Sequence, residues 1–100
     1  MATTSKALFR GAASTSSTTL YTTPASTTTV VTNILVTNTV TVDATFTILL
    51  DDVSIATTIT VGGFDTTVID LKQVLATAKT IKGLASATTV NFHISGVEIS

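Results

Sequence analysis

Hydrophobic residues along this chain recur at every second position over most of its length. The clearest run is Thr39 to Leu50. Val40, Val42, Ala44, Phe46, Ile48 and Leu50 share one parity, and Thr39, Thr41, Asp43, Thr45 and Thr47 share the other. A period of two marks a strand with one buried face. The run is long for a single strand, so a bend is expected near Asp43. Asp51-Asp52 reads as a tight polar turn, because Asp hydrogen-bonds its own turn backbone. Val53, Ile55, Ile59 and Val61 resume the alternation, so residues 45–50 and 53–58 form a hairpin.

The rest of the chain follows the same rule. Thr18 to Thr22 is a short strand stopped at Pro24, which cannot donate to a ladder. Thr28 to Asn38 is apolar on both faces, with Val30, Ile34 and Val36 on one and Val31 and Leu35 on the other, as a central strand requires. Gly62-Gly63 ends the hairpin's second strand. Thr66 to Leu71 and Thr80 to Ser86 are further strands. Lys72 to Ala78 between them holds good helix formers but is too short to stand alone as a helix; it is expected as a helical turn or wide loop. The last strand, Thr88 to Ile99, changes parity between Ile94 and Val97, and a bulge at Gly96 would restore the register. Residues 1–17 read as an extended N-terminal arm anchored by Ala7-Leu8-Phe9, and residues 18–100 as the folded domain.

About eight short strands at regular spacing predict an all-β, antiparallel, jelly-roll-like β-sandwich. An immunoglobulin-like sandwich is the alternative, although its Cys…Trp…Cys core is missing.

Composition sharpens the picture. Of 100 residues, 25 are Thr, a stiff β-branched residue that suits a pleated surface and wets it without charge. Only 11% are charged and the net charge is −1, so little electrostatic repulsion separates copies of the chain. Much of the surface is therefore expected to pack against other subunits. No basic stripe is present for nucleic acid, and no apolar run is long enough for a membrane helix. There is no Cys for a disulfide or thiolate metal site. The first residues lack the apolar core of a signal peptide, which leads to the expectation of cytoplasmic synthesis without export.

Candidate chemistry is sparse. His93 is the single histidine, with Ser95 as its nearest same-face hydroxyl, and no third group is indicated to complete a catalytic set. Asp51 and Asp52 could supply part of a calcium site, but the alternating acidic loop such sites use is absent and the turn role is preferred. Asp43, Asp65, Asp70 and Glu98 read as solvated or paired with Lys72, Lys79 and Lys82. Gly62-Gly63 lacks the Lys-Ser/Thr of a phosphate loop. The Thr-x-Thr triplets at Thr39, Thr45 and Thr58 lack the fixed repeat of an ice-matching surface. The reading is of a non-enzymatic protein with no cofactor and no metal.

Two segments carry a resemblance. Leu20-Tyr21-Thr22-Thr23-Pro24-Ala25-Ser26-Thr27-Thr28, running into Val30-Val31-Thr32-Asn33-Ile34, resembles the opening of small virion proteins of tailed bacteriophages. Asn91-Phe92-His93-Ile94-Ser95-Gly96-Val97-Glu98-Ile99 resembles their ending, and Thr67 to Leu71 followed by Lys79 to Lys82 their strand–loop–strand. Ala78 departs from that pattern, where Gly is expected in the turn. The resemblance implies a virion component: a capsid cement or decoration protein, or alternatively a tail or baseplate accessory or adhesin. It implies partners too: further copies of the chain, as a homotrimer, and the major capsid protein or another virion protein. Leu8, Phe9 and Arg10 in the arm and Tyr21 are the expected interface residues, on their exposed apolar or aromatic character.

Overall fold

A computed structural model describes residues 2–100. It holds eight strands: β1 (Thr3–Ala12), β2 (Thr18–Thr22), β3 (Thr28–Asn38), β4 (Ala44–Leu50), β5 (Val53–Val61), β6 (Thr66–Leu75), β7 (Thr80–Ala85) and β8 (Val90–Ile99). They form two four-stranded antiparallel sheets, ordered β1-β8-β3-β6 and β2-β7-β4-β5. The body is elongated, 45 × 21 × 18 Å.

The topology is one long hairpin rolled up. Asp51 and Asp52, at φ 53° and 61°, make its tip. Two successive left-handed residues match the twist of the flanking strands, and Asp tolerates that region better than most residues. From this tip the two halves pair outward: Leu50 faces Val53, Thr37 faces Thr66, Thr22 faces Thr80 and Thr3 faces Ile99. Folding this ribbon into two layers gives the jelly roll expected from the sequence.

The core lies between the sheets. Phe46 of β4 and Phe92 of β8 meet edge to face across it, centroids 6.3 Å apart at 71°. Ile34, Val36, Ile48, Ile81, Val90 and Ile94 surround them, all fully buried. Gly83 leaves room here: a Cβ on it would stand 3.0–3.2 Å from Leu20, Ile48 and Phe92.

Several sequence readings are corrected. Residues 3–12 are no free arm. They pair with β8 along their length, and Leu8 enters the core. The apolar trio had looked like an anchor for another subunit because nothing in the sequence says that β8 leaves a neighbour's place open. Lys72–Leu75 is neither helix nor loop but the second half of β6; pairing with β3 overrides the helical preference of a short segment. The Thr39–Leu50 run breaks where a bend was expected: β4 begins at Ala44, and Val40 and Val42 are exposed in the connection.

The bulge read at Gly96 lies elsewhere. β8 alternates regularly, with Val90, Phe92, Ile94 and Gly96 inward and Val97 outward. The slips are in its neighbours: β3 breaks register at Thr32 and β1 at Leu8. Val31 points inward before Thr32, and Ile34, Val36 and Asn38 after it. The bulged Leu8 covers Gly96, where an added Cβ would lie 2.9 Å from Leu8 Cδ1 and 2.4 Å from the Val30 carbonyl. The glycine is the hollow and Leu8 the plug.

Candidate functional site

The four edge strands decide what this surface can do. β1 and β2 are the edges of the two sheets on one side of the sandwich and touch each other there, and β6 and β5 are the edges on the other. Of the interface residues expected from the sequence, two are spent inside the chain. Leu8 is buried over Gly96, and Tyr21 is buried with its hydroxyl fully engaged. Phe9 is half-buried and packs on the core, and Arg10 is exposed opposite His93.

Tyr21 ties the two sheets together. From β2 its hydroxyl donates to Glu98 Oε2 on β8, and it sits 2.8 Å from Thr29 Oγ1 on β3. Lys6 Nζ of β1 reaches the same carboxylate at 3.4 Å. Burial, then the bond to Glu98, pushes the Tyr21 phenol up to about 12. A neutral phenol is the form this network needs.

On the β5–β6 side the large side chains are not taken in. The exposed large hydrophobics are Val40, Val42, Val53, Ile55, Ile59, Phe64, Val68 and Val74. All belong to β5, β6 or the connections 39–43 and 62–65. Phe64 is 69% exposed and Val42 71%. Sequence reasoning placed Val40, Val42, Val53, Ile55 and Ile59 on core-facing positions. What it missed is that β5 is an edge strand and that residues 39–43 are a connection outside any strand, so parity alone does not cover them. Phe64, a lone aromatic after two glycines in a turn, was a signal open to notice.

The Val40–Val42–Phe64 tip is held firmly. Asn38, itself buried, donates from Nδ2 to the Val42 carbonyl at 2.6 Å and accepts from Val40 N–H at Oδ1. Phe64 N–H donates to the Val40 carbonyl at 2.9 Å, and Gly63 N–H to Asp43 Oδ1 at 3.0 Å. Gly63 must be Gly, since a Cβ there would lie 2.1 Å from the Thr41 carbonyl. Phe64 sits in the left-handed region at φ 55°, a conformation that bulky residues rarely adopt.

The opposite end is polar. Lys79 pairs with Asp51 at 3.5 Å and Lys82 with Asp52 at 2.7 Å. Lys82 holds the Asp52 carboxyl below the usual range through its hydrogen bond. These partners differ from the acids first matched to Lys79 and Lys82. His93 lies exposed on the outer face of β8 between Arg10 and Leu35, its register neighbours. Among the described residues no group of three His, Cys, Asp or Glu could hold a metal ion, and no helix is long and apolar enough to cross a membrane.

The features that could do chemistry are thus scattered, while those that could bind protein are collected on one side. No protein-family model matches the chain, and no curated protein matches it.

Proposed function

We propose that this chain is a non-enzymatic structural protein that adheres to other protein subunits, and that its setting is a phage virion, as a cement or decoration protein on the capsid shell. One observation carries the adhesive part: every exposed large hydrophobic among the described residues lies on the β5–β6 side or at the tip beside it. Single exposed apolar residues are ordinary, whereas a collected set marks an interaction surface. The strained, rigidly held Phe64 adds to it, because backbone strain gathers where function needs a side chain in one place. The virion setting rests on the sequence resemblance alone.

Mechanically, the sandwich bridges neighbouring shell subunits and adds buried area to their contact. An interface of roughly 1,600 Å² suffices for stable docking. The test mixes the purified chain with emptied heads and, separately, with isolated tails of the source phage, then sediments them. The expected outcome is retention on heads, lost at least tenfold when Phe64 and Val42 are both changed to Ser. Retention on tails alone, or on neither, removes the cement reading.

A further inference from the structure

Of the four edge strands, three are blunted. β1 carries Lys6, Arg10 and the Leu8 bulge; β2 has five residues and a register slip at Leu20. β5 slips twice, at Ile55 and at Thr57-Thr58, where Thr58 turns left-handed at φ 49°. Charges, bulges and shortness are the usual guards of a free edge. β6 differs. It runs ten residues, Thr66–Leu75, and its exposure alternates from Thr66 to Lys72, with Leu75 again inward. One slip lies beside it, where Leu71 and Lys72 together oppose the single Thr32 of β3, but the facing of β6 runs on unbroken through it, with Asp70 outward opposite Asn33 and Gln73 inward opposite Val31.

After Thr66, the outward positions of β6 read Val68, Asp70, Lys72, Val74. That string is its own complement when reversed. We propose that β6 pairs antiparallel with β6 of a second copy about a twofold axis through Leu71, making a continuous eight-stranded sheet across a dimer. In this register Asp70 faces Lys72 of the second copy, and Val68 faces its Val74, each pair occurring twice as a twofold demands. The inference stands whether or not the protein binds a shell.

Three further observations agree. Among the described residues, the other three lysines make ion pairs within the chain, while Lys72 and Asp70 make neither an ion pair nor a side-chain hydrogen bond. The two unspent charges are the two that this pairing joins. Val68 and Val74 are 56% and 67% exposed, and each already faces an apolar neighbour on β3, Leu35 and Val30. The dimer therefore extends an apolar row from Leu35 through Val68 to Val74 and Val30 of the second copy. Directly opposed apolar and opposite-charge pairs are what stabilise an antiparallel junction. A shallow depression lined by Thr32, Asp70, Leu71 and Lys72 marks the centre of the string. Among edges, self-pairing of β1 would oppose Lys6 and Arg10 to each other, a like-charge penalty that β6 avoids.

The pairing yields a dimer in place of the trimer that the sequence resemblance implies. Light scattering on the size-fractionated full chain tests it over a concentration series. The expected mass is twice the 10.3 kDa of one chain. Asp70→Lys alone and Lys72→Asp alone each oppose like charges twice and should raise the dimer dissociation constant at least about tenfold. The double swap should restore the dimer, and mixing the two single variants should give a heterodimer that neither forms alone. Circular dichroism of each variant separates lost pairing from lost folding. A monomer at the highest soluble concentration, a trimer, or a dimer indifferent to both reversals overturns the proposal.

Discussion

Along the β1–β2 edge the large side chains turn inward. Leu8 plugs the hollow at Gly96, Tyr21 stitches β2 to β3 and β8, and what remains exposed is Thr, Ser, Ala, Lys6 and Arg10. Along the β5–β6 edge, built from the same β-branched residues, Val53, Ile55, Ile59, Val68 and Val74 stay in water. Alternation is present on both sides. The difference lies in what the sheets have to close with. On the first side the bulged residue of each strand, Leu8 in β1 and Leu20 in β2, lies on or against the core, as does Tyr21 beside it. On the second the slips of β5, at Ile55 and at Thr57-Thr58, leave Ile55 and Ile59 in water. Alternation assigns a face, and only topology says whether that face is covered. The same residue type therefore holds the fold together on one edge and is left available for partners on the other.

Truncating one apolar side chain on each edge gives the largest contrast. Leu8→Ala empties the space over Gly96 and should cost about 2–4 kcal/mol. Val68→Ala, at an exposed position, should stay within about 0.5 kcal/mol in dilute protein where no dimer forms. Urea unfolding midpoints measure both. Equal costs would mean that the β6 edge is as much part of the core as β1, and the distinction between the edges would fail.

The next effect is polar. Tyr21→Phe leaves the Glu98 carboxylate with Lys6 alone and Thr29 without its partner, and should cost about 1–3 kcal/mol. Its pH dependence has a definite sign. The unfolded phenol loses its proton near its ordinary value of about 10, the folded one near 12. Between these the unfolded chain binds fewer protons, so stability falls as pH rises, and below that window this group contributes no slope. Since Tyr21 is the one tyrosine, absorbance at the phenolate band reports it directly. A midpoint near 10 in the folded protein would remove Tyr21 from the buried network. The alkaline loss of stability should be smaller in Tyr21→Phe.

Much of this architecture was legible before the structure. Thr18–Thr22 and Thr28–Asn38 carry the strand bounds read from pattern alone, and the Asp51-Asp52 turn sits at the tip of the rolled hairpin. Register was less legible. The single residues that slip it, Thr32 in β3 and Leu8 in β1, look ordinary in sequence, because a bulge answers to neighbouring strands that lie far away in the chain. The surface was least legible. Leu8 and Tyr21 looked like contacts and are buried, whereas Val68 and Val74 passed without notice because exposure at an edge is a property of the strand order.

The smallest effects concern backbone strain, and they separate strain kept for binding from strain without that use. Ala78 turns left-handed at φ 70°, in a turn closed by Lys79 N–H to the Ala76 carbonyl. Glycine favours this left-handed conformation, whereas Ala pays a steric cost there. Ala78→Gly should therefore stabilise by roughly 0.5–1 kcal/mol, a rise of a few degrees in Tm, with dimerisation and shell retention unchanged. Phe64→Gly relieves the same kind of strain at φ 55° on the β5–β6 side. It should be neutral to similarly stabilising, since the ring is mostly in water, yet it should weaken retention on shells. A variant that gains stability and loses adhesion assigns the Phe64 strain to binding. Were Phe64→Gly instead to destabilise by more than about 1 kcal/mol, the ring would be supporting the tip, and the apolar side would be a structural feature rather than an adhesive one.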